Sequence, residues 1–326
     1  MTAPHVPGGP GWMRPLAGTG LTVSAVALGG GPLGSMPDLF GEDVSPERGI
    51  DTVRAALHSD IRFIDTSNGY SGGESERRIG AALTAAGGVP AGVVVATKVD
   101  PEGGDYSGER VRRSVEESRA RLGMDHLPLV HLHDPEFHEF DDLTAPGGAV
   151  EALVELRESG VVGAIGLAGG RVQEIARYLA LGVFDVLLVH NRWTLLDRSA
   201  GGLLEEAQAR GMGILNAAVY GGGILAHQGP DGPTTYGYRP APGPVLAAAD
   251  AMRRVCAEHG TDIGTAALQF SLRDERFAAT IVGMSRPERV AQTLAAAAAP
   301  LPDELFAELE TLVPPRDTWL DAPFEG

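Results

Sequence analysis

Short runs of apolar and β-branched residues recur along the chain. Between them lie longer segments in which apolar positions return every three or four residues. The short runs predict strands over residues 23–28, 61–64, 93–97, 127–132, 161–167, 184–189, 212–216 and 278–282. Each is nearly continuous in hydrophobicity, as expected of parallel strands covered on both faces. Ser45-Pro46 opens a predicted helix with Val53, Ala56 and Leu57 on one face. Residues 107–122 predict another, carrying Val111, Val115 and Leu122 and stopping at Gly123. Further helices are expected over 149–158, 172–181, 202–209 and 245–259.

Strand and helix alternating eight times over 326 residues predict a (β/α)₈ TIM barrel, with 1–326 as one domain and 1–20 as an N-terminal segment. Gly29-Gly30-Gly31 follows the first strand, but Pro32 interrupts the run. It reads as a glycine turn at a barrel mouth more readily than as the phosphate-binding turn of an open dinucleotide-binding sheet. Two stretches are too rich in Gly and Pro for regular structure: 221–244, after the seventh strand, and the tail 314–326. Barrel enzymes build pockets from such loops, so the first is expected to serve substrate or cofactor and the second to act as a lid.

Composition narrows the function classes. With 43% hydrophobic residues the chain can fill a core, and a net charge of −17 argues against nucleic acid or an anionic membrane as partner. Cys256 is the single cysteine, which excludes an intrachain disulfide and suits a reducing compartment. No leader-like apolar run opens the chain and no segment reaches the about 20 residues of a membrane span, so a cytoplasmic protein is expected.

The candidate chemistry sits where predicted strands finish. Asp65 closes the second strand, Tyr70 follows in its loop, Lys98 closes the third and His133 the fourth. Neighbouring barrel strands bring such ends to one mouth. A lysine ammonium beside a tyrosine favours the phenolate and is expected to lower the pKa of Tyr70, while Asp65 keeps Lys98 charged. Tyr70 then exchanges a proton with a developing alkoxide, and neutral His133 orients the carbonyl oxygen. Carbonyl–alcohol interconversion also needs a hydride source, which implies a nicotinamide cofactor.

These residues, together with FIDTSNGYSGGESERRIGAAL at 63–83, VATKV around Lys98, SVEESRARLGMDHL at 114–127 and HLHDP at 131–135, resemble the aldo-keto reductases. The segments GVVGAIGLAGG, FDVLLVHNRWTLLD, YRPAPG and CAEHGTDIGTAALQF are similar to the branch of D-threo-aldose (L-fucose) 1-dehydrogenase and pyridoxal 4-dehydrogenase. The resemblance implies a TIM-barrel oxidoreductase with Asp65, Tyr70, Lys98 and His133 as its tetrad, acting on a small carbonyl compound or sugar. It places the adenosine end of the cofactor on 281–293, with Gly283, Ser285, Arg286, Arg289, Gln292 and Thr293. Arg286 and Arg289 suit a ribose 2′-phosphate, so NADP is expected ahead of NAD. At the nicotinamide end the common pattern is replaced by Ala168, Gly169, His190 and Asn191, with Tyr220 as the candidate stacking aromatic. Trp193, Tyr236 and Tyr238 are candidate substrate aromatics, with Trp319 and Phe40 as further candidates for the mouth, whereas Tyr178 and Phe270 read as core.

Two other classes are compatible with parts of the sequence. His131-x-His133, with His190 and Asp65, offers ligands for a metal-dependent barrel hydrolase. A nucleotide-binding, reductase-like regulatory or partner protein without turnover would explain the altered nicotinamide surroundings.

Overall fold

The structure, a computed structural model, describes residues 5–37, 41–227, 232 and 234–324; Phe40 lies outside the described residues. A hairpin, β1 (Met13–Leu16) and β2 (Leu21–Ser24), precedes the first barrel strand, β3 (Val26–Gly29). After it come α1 (Pro46–Leu57), β4 (Phe63–Asp65), α2 (Glu74–Ala85), β5 (Val94–Val99), α3 (Gly108–Leu122) and β6 (Leu127–His133). The chain continues through α4 (Phe140–Thr144), α5 (Ala149–Glu158), β7 (Val162–Gly169), α6 (Val172–Leu179), β8 (Val186–His190), α7 (Gly201–Ala209) and β9 (Gly213–Ala217). A small hairpin, β10 (Thr235–Tyr236) and β11 (Arg239–Pro240), leads to α8 (Gly243–Glu258), α9 (Ile263–Leu272), β12 (Ala279–Gly283), α10 (Pro287–Ala298) and α11 (Asp303–Glu310). Among the described residues, β3 to β9 and β12 are parallel and close a barrel of eight strands in the order β12-β3-β4-β5-β6-β7-β8-β9.

All eight predicted strands are present within a few residues of their expected bounds. The run 23–28 serves two structures, because Ala25 separates the hairpin strand from the barrel strand. Both halves are buried, so hydrophobicity alone carries no mark of the break. The hairpin closes the floor: Leu16 and Val23 join Phe63, Leu129, Val186 and Leu215 in the barrel's interior. A Cβ on Gly213 would stand 2.6 Å from Leu16, so the glycine admits this plug. Helix ends follow local chemistry. The Ser45 and Ser107 side chains accept the amides of Arg48 and Arg110, and Gly123 ends α3 at φ 68°. Helix α9 was not legible by periodicity, because apolar residues and alanines surround it on most sides.

The tail is more ordered than the irregular lid expected of it. Leu320 donates its amide to Asp197 at 2.8 Å, Asp321 accepts from buried Arg192 at 2.7 Å, and a Cβ on Gly202 would meet the Phe324 carbonyl at 2.2 Å. The stretch 221–244 likewise contains β10 and β11, with the Tyr236 ring buried beneath them. Among the described residues, no helix is long and apolar enough to cross a membrane.

The tail strap yields a stability prediction. Asp321→Ala strands the Arg192 guanidinium among buried groups and lowers the unfolding free energy by about 2 kcal/mol, below the usual cost for a sealed pair because Asp321 is one-fifth exposed. Urea unfolding checks the value, and limited proteolysis should show earlier cleavage of the last residues.

Candidate active site

Three adjacent strands deliver the central group. Asp65 ends β4, Lys98 lies one residue before the end of β5, and His133 ends β6. Tyr70 starts the turn after β4, where Ser71 takes a left-handed conformation before α2. The Lys98 ammonium, 2% exposed, donates to Asp65 Oδ2 at 2.7 Å, to the Thr66 carbonyl at 2.7 Å and to Tyr70 Oη at 3.4 Å. The Tyr70 and His133 rings meet edge to face with centroids 5.6 Å apart. All four residues line one cavity of about 240 Å³ at the carboxyl end of the barrel.

Electrostatics within the group depart from the sequence expectation at Tyr70. Burial resists the charge of Lys98, but Asp65 and Tyr70 outweigh it and hold the ammonium above its ordinary range. For Tyr70, burial pushes the phenol well above its usual pKa; Lys98 pulls the other way, and Asp65, Asp100 and Asp134 add to the rise. The predicted lowering is therefore corrected: removal from water and three nearby carboxylates outweigh one ammonium, and Tyr70 rests as a phenol.

His133 is also held differently from expectation. Asp100, just beyond β5, takes His133 Nδ1 at 2.7 Å, while Ser67 and the Gly69 amide donate to the other Asp100 oxygen. Burial alone would lower the His133 pKa, but Asp100 and Asp134 outweigh it and raise it; the Asp100 carboxyl is held below its ordinary range against burial, chiefly by His133. The sequence reading missed Asp100. The signal was the acidic residue two places after the strand-end lysine, whose relation to His133 exists only across the β5–β6 ladder.

Other predicted residues divide by position. Ala168, His190, Gly283 and Tyr238 line the same cavity, beside Asp134 and the glycine turn Gly29 to Gly31. His190 Nε2 is 3.4 Å from Asp134 Oδ1, and Asn191 donates to His190 Nδ1 at 3.2 Å. Gly169 packs against Glu136 and Ile175, where a Cβ would stand 2.3 to 2.4 Å from their side chains. The glycine turn continues into a short 3₁₀ turn, with a Cβ on Gly30 standing only 2.8 Å from Ser75, so close packing explains it. Asp134, Ala218 and Tyr238 all have positive φ, which concentrates backbone strain at the cavity rim.

Tyr220, Arg289, Gln292 and Thr293 line a second cavity of about 320 Å³ with Asp262 and Thr265. Two chain segments run from one cavity to the other: Ala217 and Ala218 line the first and Tyr220 the second, and Gly283 lines the first while Arg289 to Thr293 line the second. Two separated pockets joined along the same segments fit a long, two-headed ligand such as a dinucleotide. Ser285 and Arg286 lie between them. Ser285 Oγ donates to Glu42, which also pairs with Arg48 at 2.8 Å and stands 4.0 Å from Arg286.

Two aromatic candidates fall outside the catalytic cavity. Trp193 packs against Phe270, with the guanidinium groups of Arg276 and Arg198 at 4.4 and 5.6 Å from its ring. Tyr236 is 1% exposed and its hydroxyl bonds to the Asn191 carbonyl and Thr194 Oγ1, each at 2.8 Å, so it supports the loop. Trp319 donates to the Pro314 carbonyl in the tail, and Tyr178 is core, as expected. Among the described residues, the metal set suggested by the sequence does not come together; the side chains whose ligand atoms lie within 4.8 Å of one another are Asp134, Glu136 and His190. His131 is fully buried opposite Gly166, where a Cβ would meet its ring at 2.1 Å, and it is not among the residues that line the cavity.

The Aldo/keto reductase family profile matches residues 25–314. The chain is 33% identical to L-galactose dehydrogenase of Arabidopsis thaliana, over 93% of this chain and 94% of that one. It is 30% identical to D-threo-aldose 1-dehydrogenase of a Pseudomonas species, with 90% and 95% covered. The identity is also 30% to pyridoxal 4-dehydrogenase of Microbacterium luteolum, over 91% and 96%. A closed parallel barrel, a lysine–aspartate–tyrosine–histidine group at its carboxyl mouth and a match spanning nearly the whole barrel lead to one assignment: this chain belongs to the aldo/keto reductase family of nicotinamide-dependent oxidoreductases.

Proposed function

We propose that this enzyme interconverts a carbonyl with an alcohol or hemiacetal on an aldose or a related hydroxylated aldehyde, with Tyr70 as acid/base. The observation that carries this reading is the Lys98–Asp65–Tyr70 hydrogen-bonded group beside His133 in one small cavity. Asp134 and Tyr238 give that cavity polar groups suited to the hydroxyls of a sugar. The sugar dehydrogenases among its relatives point the same way.

When bound, the nicotinamide gives or takes the hydride. The chain's own residues manage the proton and the charge. A substrate oxygen placed between Tyr70 Oη and His133 receives the phenolic proton as its carbonyl becomes an alkoxide. The Lys98 charge, kept in place by Asp65, stabilises the phenolate left behind. Asp134 holds a neighbouring hydroxyl, and the buried floor keeps bulk water from the reacting carbon. Gly283, Ser285, Arg286, Arg289, Gln292 and Thr293, with Tyr220, are the residues we assign to the adenosine and phosphate portions, and Ala168, Gly169, His190 and Asn191 to the nicotinamide end.

The structure modifies the reason for expecting NADP. Glu42 places a carboxylate on Ser285 and beside Arg286, the position proposed for a ribose 2′-phosphate. A phosphate there must displace or repel that carboxylate, so we read NAD as the cofactor favoured while Glu42 stays seated. Glu42→Gln should tighten NADP about tenfold relative to NAD, equivalent to about 1.4 kcal/mol. Quenching of tryptophan fluorescence on titration with each nucleotide measures the ratio, and an unchanged ratio removes this assignment.

The reaction itself is tested by following cofactor reduction with NAD and NADP against aldoses, pyridoxal and simple alcohols. Turnover on aldoses is expected, and Tyr70→Phe should lower kcat/KM by about a thousandfold without unfolding the protein. Near-normal turnover by that variant would mean that another group transfers the proton.

A further inference from the structure

Two carboxylates beside the cavity stand without a cationic partner. Asp134 and Glu136 flank Pro135 at the end of β6, where a 3₁₀ turn covers Pro135–Phe137. The turn is anchored: the Asp134 amide donates to the Ala168 carbonyl at 2.8 Å, and the Phe137 amide donates to the Asp134 carbonyl at 3.3 Å. Glu136 is 7% exposed. Its Oε1 accepts the amides of Gly170 and Arg171 at 2.5 and 3.1 Å, while its Oε2 is buried with no hydrogen-bond partner. Asp134 Oδ1 is buried too and makes no hydrogen bond, standing 3.4 Å from His190 Nε2. Among the described residues, no lysine or arginine forms an ion pair with either carboxylate, and the nearby cations are taken, Lys98 by Asp65 and Arg192 by Asp321. Buried carboxylate oxygens left without donors or cations are costly, and two that converge call for a positive ion.

The spacing and the donor set say which kind of ion. One ligand atom from each of Asp134, Glu136 and His190 lies within 4.8 Å of the other two. Ligands about 2.0 to 2.1 Å from a tetrahedral ion stand about 3.4 Å apart, which is the spacing of Asp134 Oδ1 and His190 Nε2. An imidazole nitrogen with two carboxylate oxygens selects a transition-metal ion over Ca²⁺ or Mg²⁺, which prefer oxygen alone. Such an ion needs the lone pair of Nε2, so the imidazole proton must sit on Nδ1. Asn191 Nδ2 is 3.2 Å from Nδ1, and Asn191 Oδ1 is buried without a partner. Turning that amide over sets its oxygen on Nδ1–H, the outer hydrogen bond that orients metal-bound histidines.

We propose that Asp134, Glu136 and His190 form a binding site for a divalent transition-metal ion such as Zn²⁺, and that this ion and the nicotinamide end of the cofactor exclude one another. Asp134 and His190 line the catalytic cavity and Glu136 does not, so three protein ligands leave the fourth position open towards the cavity. The exclusion rests on the oxidoreductase reading, which assigns His190 to the nicotinamide end. An ion on His190 Nε2 takes that side chain from the cofactor. Free zinc then inhibits the cofactor-free enzyme, and bound cofactor protects against it.

Calorimetric titration of Zn²⁺ into chelator-treated, cofactor-free protein should show one ion bound per chain. Asp134→Asn, Glu136→Gln and His190→Gln should each weaken it more than about tenfold. His259→Gln, on a histidine outside the cavity that pairs with Glu308 at 3.1 Å, should leave it unchanged. In Glu136→Gln the amide oxygen can still accept from Gly170 and Arg171, so the loop keeps its anchor while a ligand is lost. Co²⁺ reads the ligands directly: the visible absorption of a four- or five-coordinate site is expected in the parent and absent from Glu136→Gln. Saturating NAD should abolish zinc binding, and zinc should inhibit turnover in competition with NAD. Absence of binding by the parent, or binding that all three ligand variants retain, overturns the site, and simultaneous binding of zinc and NAD overturns the exclusion. If NAD itself does not bind, the oxidoreductase reading fails, and the zinc titrations of the variants still decide the metal site.

Discussion

An ammonium group on the inner wall of a barrel is stable only if a carboxylate is built in beside it. Removing either ion of such a pair from water costs several kcal/mol, and the mutual attraction repays that only with close geometry and satisfied hydrogen bonds. Lys98 meets those terms through Asp65 Oδ2 and the Thr66 carbonyl, both supplied by the end of the adjacent strand. The rest of the site is arranged around that fixed positive charge. Tyr70 comes within 3.4 Å of it, and the Tyr70 ring then sets the edge against which His133 stands. One charge thus gathers three successive strand ends around a single cavity.

Carboxylates then bias the site a second time. Asp100 and Asp134 both raise Tyr70 and His133 in pKa, but with opposite chemical results. A raised phenol stays neutral and protonated, whereas a raised imidazole becomes a cation more easily. The same negative field therefore favours the phenol of Tyr70 and the imidazolium of His133. Around them, left-handed residues at Asp134, Ala218 and Tyr238 aim the rim inwards, and the strapped tail holds Arg192 behind His190. That rim keeps the lining groups in a fixed relation to Tyr70 and His133.

The fold was legible because its signals are local. Continuous apolar runs marked the eight strands, and Ser45, Ser107 and Gly123 marked helix ends through bonds made within three or four residues. The tetrad was legible because each member sits at or just after a strand end, a position the pattern exposes. The aromatic candidates fared less well. Tyr238 does line the cavity, but Trp193 and Tyr236 were drawn into packing by Phe270, Arg276, Thr194 and the Asn191 carbonyl. An aromatic ring in a loop carries no local mark of which side it will bury.

By itself the sequence determined the order of strands and helices, the closed parallel architecture they imply and the four polar groups at its mouth. These depend on periodicity and on bonds between near neighbours. Only the tertiary structure decided how those groups titrate and which partners they take. Burial reversed the expected direction for Tyr70, Asp100 took His133 Nδ1 from 33 positions away, and Glu42 reached Ser285 across 243 positions. Ionisation and side-chain partnership are set by desolvation and by distances between segments remote in the chain, and neither quantity exists until the barrel has closed.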